Sequence, residues 1–344
     1  MTNCVGMLVI EGAKKGTNLS LEWIMADIDL GWNTHGKGRV RVVKVTRNAD
    51  GSQDVVQLSV QVLLEGDVMK DGFISGDNAT VVATDTCKNT VYCLAKDHDF
   101  KSIEEFGLII CSHFIKEYPE FVNKINVKII KDRWERISVP NSRGKIMPHN
   151  HVFRRFGPNR PFCNVMGEKR PGGAPLTFKV RAGFDGLEIM KTTQSGFTGF
   201  HRDRYTSLPE VADRLVGTSV FAEWTYTASA VANSFSVNFN QIHKTIEEKM
   251  INTFAGPADT GVYSNSVQQT LFEMGREALL AVKEIESVHI EMPNIHNIPF
   301  DLTRYGYPKD GPEGPTIFFP IDEPHGMIQA DVERSGVARY KSRL

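Results

Sequence analysis

The chain has 344 residues, of which 41% are hydrophobic and 24% charged, as is typical of one large globular domain or two ordinary ones. Lysine and arginine number 40 against 41 aspartates and glutamates, so the net charge is −1. This balance argues against nucleic acid or an anionic membrane as the main partner, and no apolar run is long enough to span a bilayer.

Cysteines and chain ends predict a location. The five cysteines are odd in number and form no C-x-x-C pair, which predicts reduced thiols in an intracellular protein and no zinc site. The first residues lack the charged segment and cleavage site of a signal peptide. The last three, Ser342-Arg343-Leu344, are similar to the S-K-L peroxisomal signal. Such a tripeptide also occurs by chance, and the other two features are compatible with it.

The first half of the chain predicts a hairpin followed by a helix. Residues 1–33 show no clear period and are predicted to be an extension. "RVRVVKVTR", the turn residues "NADG" and "VVQLSVQVLL" then predict a β-hairpin with one buried face. "VVATDTCKNTVY" is predicted to be a buried strand that stops at Thr84. Ser102 and Glu105 form a capping box for a helix that ends before Pro119, and "KINVKIIKDRWERI" predicts a further strand.

A similar order recurs in the second half. "LEIMKTTQSGF" and "TSVFAEWTYTA" predict strands, and between them Ser207 and Glu210 repeat the capping box, which predicts a helix containing Arg214. Two more helices and the strand "SVHIEMPNIH" follow. Strands in adjacent pairs predict an antiparallel sheet and the α+β class. The Pro/Gly-rich segment 156–176 is predicted to be a loop between a unit at 34–155 and a unit at 177–344.

Familiar catalytic motifs are missing from the sequence. It contains no phosphate loop, dinucleotide fingerprint, nucleophile elbow or H-E-x-x-H motif. The stretch "HNH" places His149 and His151 on one side of an extended segment, where they could hold a metal ion. Without a third ligand, a solvated loop is the favoured interpretation.

Three polar clusters interrupt apolar strands. Thr84, Asp85 and Lys88 form the first, Phe197 and Arg214 belong to the second, and the third is Asn294 with His296. Taken singly, they are more typical of a turn, a surface loop with a helix, and the end of a strand. Together they offer a guanidinium, amides and an aromatic face, which suit the recognition of a flat polar heterocycle.

Five stretches occur in an order and spacing that strongly resemble the urate oxidase (uricase) family: "HGKGRVRVVKV", "VVATDTCKNTVYCLAK", "KTTQSGFTGFHRDRYTSLPEVADR", "NSVQQTLFEMG" and "MPNIHNIPFD". The resemblance runs from about residue 35 to the C-terminus. It implies the tunnelling fold, in which two tandem units of antiparallel sheet and helices form a barrel with neighbouring subunits of a homotetramer. It also implies that urate reacts with dioxygen, without metal or cofactor, to give 5-hydroxyisourate and hydrogen peroxide in the peroxisome.

The resemblance also assigns residues to urate binding. Arg214 matches the arginine that forks onto one edge of the urate anion. Gln268, after Val267, matches the glutamine that holds the opposite edge. Phe197 matches the ring beneath the purine, with Leu208 as an apolar wall.

The catalytic group implied by the resemblance is Lys37, Thr84 and His296, which would pass protons to and from the reacting oxygen species. Asp85 would bind urate through its backbone N–H. Asn294 would lie on the face of the purine where oxygen or water sits.

In the family, the Lys37, Thr84 and Asp85 positions belong to one subunit and the Arg214 and Gln268 positions to its neighbour, so the resemblance implies a site that requires assembly. Two alternatives stay open: a purine-binding protein without turnover, and a zinc-dependent relative that acts on pterins. One departure is His35, where the family usually has tyrosine.

Overall fold

A computed structural model of the chain describes residues 29–170, 176–311 and 314–335, and it has the α+β class that the sequence predicts. The predicted extension falls almost wholly on residues 1–28, and the predicted targeting signal falls on residues 342–344. Both lie outside the described residues. Among the described residues, no helix has the combination of length and apolarity that a membrane span requires.

The first half of the chain begins with the predicted hairpin. Its elements are β1 (His35–Arg47), β2 (Gln53–Glu65), a short helix α1 (Lys70–Ile74), α2 (Thr84–Asp97), α3 (Ile103–Glu117), β3 (Lys124–Asp132), β4 (Trp134–Pro140), β5 (Ile146–Arg155) and β6 (Arg160–Glu168). The serine half of the α3 capping box is confirmed, because Ser102 Oγ accepts a hydrogen bond of 3.1 Å from Glu105 N. The Glu105 carboxylate accepts from Lys101 N at 2.7 Å, one residue before the predicted partner.

The second half repeats this order. Its elements are β7 (Thr177–Lys191), β8 (Val216–Tyr226), a short helix α4 (Ala228–Ala232), α5 (Phe239–Ala255), α6 (Val267–Ala281), β9 (Ile285–Pro299) and β10 (Phe318–Glu333). The strand "TSVFAEWTYTA", the two long helices and the strand "SVHIEMPNIH" are confirmed, whereas the strand predicted for "LEIMKTTQSGF" ends at Lys191. Strand β10 was not anticipated from the sequence.

Eight strands form one antiparallel sheet in the order β1-β2-β3-β6-β7-β8-β9-β10. Strands β4 and β5 form a separate hairpin. Strands β6 and β7 join the halves, so the sheet is continuous, and β1 and β10 are its two edges. Each half therefore contributes a hairpin, helices and two further strands.

The helices cover one face of the sheet, where alternate residues of the six inner strands are buried. In β8, for example, Val220, Ala222, Trp224 and Tyr226 are buried in the core. The opposite face is polar and carries Lys128, Asn164, Arg181 and Glu223 on β3, β6, β7 and β8. A sheet with one buried face and one polar face agrees with the alternating pattern of the sequence.

The two halves use the same helix-to-strand contact. A Cβ atom on Gly107 of α3 would lie 2.5 Å from a methyl carbon of Val165 on β6. A Cβ atom on Gly275 of α6 would lie 2.6 Å from a methyl carbon of Val332 on β10. In each half, a helical glycine thus allows its helix to pack closely on the fourth strand of that half in the sheet order, β6 or β10. This repetition supports a tandem arrangement.

A buried polar cluster connects the halves. Glu104 of α3 is fully buried, and its Oε1 accepts hydrogen bonds from His243 Nε2 of α5 at 2.7 Å and Tyr226 Oη of β8 at 3.4 Å. A buried carboxylate requires such partners, because its desolvation is costly. The cluster therefore fixes the helices of one half against those of the other.

The prediction that "VVATDTCKNTVY" is a strand ending at Thr84 was wrong, because Thr84 begins helix α2. The buried residues Cys87, Val91, Leu94 and Ala95 are spaced four, three and one apart, which is the period of a helix face. Val81 and Val82 before it belong to no strand.

Two other predictions about local structure were also wrong. The segment 156–176 is not a continuous loop, because Arg160–Glu168 forms β6, whose buried Cys163 and Val165 pack in the core. Residues 171–175 lie outside the described residues. Segment 207–214 forms no helix: Val211 instead pairs with Phe197 in an isolated antiparallel bridge. The unit boundaries themselves stay a prediction.

Two smaller corrections concern the region after β3. The single strand predicted for "KINVKIIKDRWERI" is divided into β3 and β4 at Arg133. The guanidinium of Arg133 donates to Glu247 Oε1 of α5 at 3.0 Å. "HNH" lies in strand β5 and not in a loop, and the rings of His149 and His151 are 4.7 Å apart.

Candidate active site

Lys37 lies near the start of edge strand β1, opposite Val62 of β2. The register shifts between Lys37 and Val40, and Arg39 adopts a φ of 56°. Such a bulge re-aims side chains and is common next to functional sites. Lys37 is half-buried, with the bulge on its C-terminal side.

Thr84 and Asp85 occupy the first turn of α2. The preceding Ala83 supplies no side-chain cap, and the first intrahelical bond runs from Cys87 N to Ala83 O at 3.1 Å. The backbone N–H groups of residues 84–86 therefore have no carbonyl partner within the helix. Free N–H groups and the helix dipole together favour an anion at this end.

The carboxylate of Asp85 binds side chains of the next turn of α2. It accepts hydrogen bonds from Lys88 Nζ at 2.6 Å and Asn89 Nδ2 at 2.8 Å. The Lys88 hydrogen bond is the main reason why the pKa of Asp85 is lowered, and the charge of Lys37 lowers it further. Lys37 therefore lies close enough to the start of α2 for its charge to act there. The backbone N–H of Asp85, not its carboxylate, is left for a ligand.

Cys87 is not an alternative reactive group at this position. It is fully buried, and burial raises the pKa of its thiol to about 11. A thiol with such a pKa is protonated near neutral pH and is a poor nucleophile.

Phe197 and Arg214 come together in the connection between β7 and β8. Phe197 N donates to Val211 O at 2.8 Å, and Arg214 N donates to Ser195 O at 2.8 Å. The guanidinium carbon of Arg214 lies 5.6 Å from the ring centroid of Phe197. Leu208 lies in the same connection, and its side chain is exposed.

The guanidinium of Arg214 is ready to bind an anion. Its Nε is buried and has no hydrogen-bond partner among the described residues. Burial lowers the pKa of Arg214, although a guanidinium stays charged at any physiological pH. A partly desolvated, planar cation beside an aromatic ring suits a flat anionic ligand that can accept two hydrogen bonds.

Val267 and Gln268 form the first turn of α6, which is capped by Ser266 Oγ accepting from Gln269 N at 3.1 Å. Val267 is buried and Gln268 is exposed. The segment before α6 is hydrogen-bonded to the connection between β7 and β8, because Gly196 N donates to Ser264 O at 2.9 Å. The start of α6 is therefore fixed relative to Phe197 and Arg214.

Asn294 and His296 lie on β9, where they project to the same side of the strand. Asn294 lines a small cavity together with Val267 and Ser195. Ser195 O accepts from Arg214 N, and Val267 precedes Gln268, so the cavity lies beside Phe197, Arg214 and Gln268, which we call the recognition group. His296 lies two residues further along the same strand, opposite Ile321 of β10.

The recognition group and the Lys37–Thr84 pair lie in distant parts of the sheet, toward opposite ends of its strand order. Lys37 is on β1, and His296 is on β9, six strand positions away in the sheet order. At about 4.8 Å per strand, this separation is roughly 29 Å measured along the sheet. The predicted site residues therefore form two separate groups within one chain.

Two residues that hold the recognition group were not singled out from the sequence. Asp213 Oδ2 accepts from Thr193 Oγ1 at 2.7 Å. Lys191 Nζ donates to Val262 O at 2.6 Å and Ser264 Oγ at 2.9 Å, and its pKa is lowered by burial. Their only sequence signal is a position within the stretch 191–214, which contains the second polar cluster. Within residues 29–170, 176–311 and 314–335, no set of three or more His, Cys, Asp and Glu side chains could hold a metal ion.

Comparisons with known proteins identify the family. The sequence profile of the Uricase family matches residues 33–166 and 180–329. The chain is 40% identical to a uricase of Arabidopsis thaliana over 87% of this chain and 94% of that protein. It is 37% identical to a uricase of Dictyostelium discoideum over 88% of this chain and 96% of that protein.

A solved structure agrees with these sequence matches. The crystal structure of uricase from Arthrobacter globiformis superposes with a TM-score of 0.78 at 34% identity, covering 91% of this chain and 97% of that one. The profile match includes every site residue named above, from Lys37 to His296. The chain belongs to the uricase family.

Proposed function

We propose that this protein is a urate oxidase, which converts urate, dioxygen and water to 5-hydroxyisourate and hydrogen peroxide without a cofactor. The observation that carries the proposal is the half-buried guanidinium of Arg214 beside the ring of Phe197, next to the start of α6. This arrangement suits a planar anion with acceptors on its edge. The named relatives at 37% and 40% identity support urate as that anion.

The recognition group would bind urate as follows. Arg214 would donate two parallel hydrogen bonds to one edge of the anion, and the amide of Gln268 would donate and accept on the opposite edge. Phe197 would stack beneath the purine, with Leu208 and Val267 as apolar walls. Two fixed edges and one fixed face would orient the ring for reaction at a single position.

The Lys37–Thr84 pair would manage protons on the other face. Lys37 would exchange protons with the reacting oxygen species through the Thr84 hydroxyl, and His296 would complete this relay. The N–H of Asp85 would hold the purine edge, helped by the dipole of α2. Asn294 would hold dioxygen or water above the ring. Urate itself would supply both electrons to dioxygen.

Such a site needs two chains, so we propose a homotetramer with active sites between subunits. The edge strands β1 and β10 both leave backbone groups free to pair with another strand. They also expose large apolar side chains, among them Val43 and Val45 on β1 and Phe319 and Met327 on β10. Pairing of such edges between copies would bury these residues and bring Lys37 of one chain near Arg214 of its partner.

We further propose that the peroxisome is the location and that its import receptor binds Ser342-Arg343-Leu344. The production of hydrogen peroxide gives a chemical reason for this compartment. The net charge of −1 favours neither nucleic acid nor membrane as a further partner.

The proposed function is tested by following urate absorbance and hydrogen peroxide together in the purified protein. We expect one peroxide for each urate consumed, at a rate that a chelator does not change. Binding of urate without peroxide would instead support a catalytically inactive purine-binding protein. Activity that requires added metal would contradict the cofactor-free reaction.

A further inference from the structure

The start of β1 is fastened at three successive residues. Thr34 Oγ1 donates to Leu64 O at 3.0 Å, and the ring Nε2 of His35 contacts Val82 O at 3.0 Å. A Cβ atom on Gly36 would lie 1.9 Å from Val62 O, so Gly36 packs directly on the neighbouring backbone. The segment that leads to Lys37 is therefore held on two sides, by β2 and by the residues before α2.

The His35 contact links the two members of the Lys37–Thr84 pair. His35 lies two residues before Lys37, and in an extended chain residues two apart project to the same side. Val82 lies two residues before Thr84, which is the first residue of α2. The hydrogen bond thus connects β1 to the segment before α2, two residues before Lys37 on one side and two residues before Thr84 on the other.

The chemistry of this bond is unambiguous. The carbonyl oxygen of Val82 can only accept, so His35 Nε2 must carry the proton that it donates. Val82 is buried, and a buried carbonyl that loses its donor pays a desolvation cost. Loss of the His35 ring would therefore favour movement of residues 82–84 relative to β1.

We infer that His35 is a positioning residue, which sets the distance between the Lys37 ammonium and the Thr84 hydroxyl. The inference rests on the proposed function, because the distance matters only if the two groups exchange a proton. His35 is proposed to contact neither urate nor the reacting oxygen species. It acts through Val82, and it is not one of the residues proposed to contact urate.

The test compares three variants by steady-state kinetics with urate. His35→Leu removes the donor, and we expect kcat to fall about tenfold, since small displacements of catalytic groups have large effects on rate. The KM for urate should change by a smaller factor than kcat, because the recognition group is unchanged and only the N–H contact of Asp85 can shift with residues 82–84. His35→Gln keeps an N–H donor at a similar reach and should recover most of kcat.

Tyr92→Phe is the matched control. Tyr92 Oη donates to Arg41 O at 3.0 Å, so it also ties α2 to β1, but eight residues beyond Thr84. We expect kcat of this variant to equal that of the wild type. An equal fall in Tyr92→Phe and His35→Leu, a wild-type kcat in His35→Leu, or no recovery in His35→Gln would each overturn the inference. A wild-type protein that consumes no urate would overturn the proposed function and the inference with it.

Discussion

Replacement of Lys37 by methionine is expected to lower kcat for urate oxidation by about 100-fold or more, the usual range for loss of a general acid–base group. Methionine keeps the length of the side chain but removes the ammonium group. Lys37 of β1 is assigned to proton transfer and not to holding urate, so the Kd for urate should change little. Peroxide release at saturating urate and equilibrium binding under anaerobic conditions measure the two quantities separately.

Lys88→Met is the control for this prediction. Lys88 is also close to the start of α2, but its ammonium is engaged by the Asp85 carboxylate at 2.6 Å. Lys88 and Asp85 are both at the surface, so their ion pair adds little to the stability of the fold. We expect kcat of Lys88→Met to stay within about twofold of the wild type, because no proton transfer is assigned to Lys88. A Lys37→Met enzyme with wild-type kcat, or a larger loss in Lys88→Met, would contradict the assignment of Lys37.

Replacement of Arg214 by methionine is expected to weaken urate binding by roughly 30- to 150-fold, which corresponds to the 2–3 kcal/mol of a charge-assisted bidentate pair. The guanidinium is partly buried, and its Nε has no partner among the described residues. Methionine should therefore remove a ligand contact without breaking an ion pair of the fold. The Kd for a non-reacting purine anion, measured by calorimetry, reports this loss directly.

Arg204→Met provides the comparison. Arg204 belongs to the same connection between β7 and β8, but it is exposed and its guanidinium lies over Tyr205. Its loss should leave the Kd unchanged. If Arg214→Met binds the anion as tightly as the wild type, the arginine of the recognition group has been assigned wrongly.

The regular elements were predictable where one period dominates the sequence. Helix α3 has both a capping box and an apolar face, and its start at Ile103 follows directly from Ser102. The two hairpin strands β1 and β2 alternate clearly. Helix α2 was missed because its first turn follows the apolar "VVA", so a strand pattern and a helix pattern overlap at Thr84.

The mispredicted segment at 207–214 has a physical explanation. Ser207 and Glu210 have the spacing of a capping box, but Pro209 disfavours a helical conformation at Leu208. The backbone of Val211 pairs with Phe197 instead, which brings Arg214 to the aromatic ring. The conformation of this segment is thus determined by its pairing with Phe197, although local signals indicated a helix.

The candidate site was accessible mainly through resemblance, because its residues are distant in sequence. No local pattern brings Lys37 near Thr84 or Arg214 near Phe197; the folding of the sheet and the loop does so. The hydrogen bond between His35 and Val82 could not be predicted either, since a single histidine carries no signal about its partner. The roles of these residues in catalysis stay predictions.

Assembly is the central claim, because the two groups lie toward opposite ends of the strand order of one sheet. A shared site makes a specific prediction for a mixture of two inactive chains. The Lys37→Met chain keeps Arg214, and the Arg214→Met chain keeps Lys37. A mixed interface can therefore contain both native side chains, whereas interfaces within either pure variant cannot.

The most direct test is co-expression of Lys37→Met and Arg214→Met chains with different affinity tags, followed by isolation of mixed oligomers and assay of peroxide release at limiting urate. With random association in equal amounts, about a quarter of all sites carry both native residues, and removal of the pure tetramers raises this share slightly, so activity of the isolated mixed oligomers should recover to between about a quarter and a third of the wild-type value. Activity no greater than that of the two pure variants would contradict an active site shared between subunits.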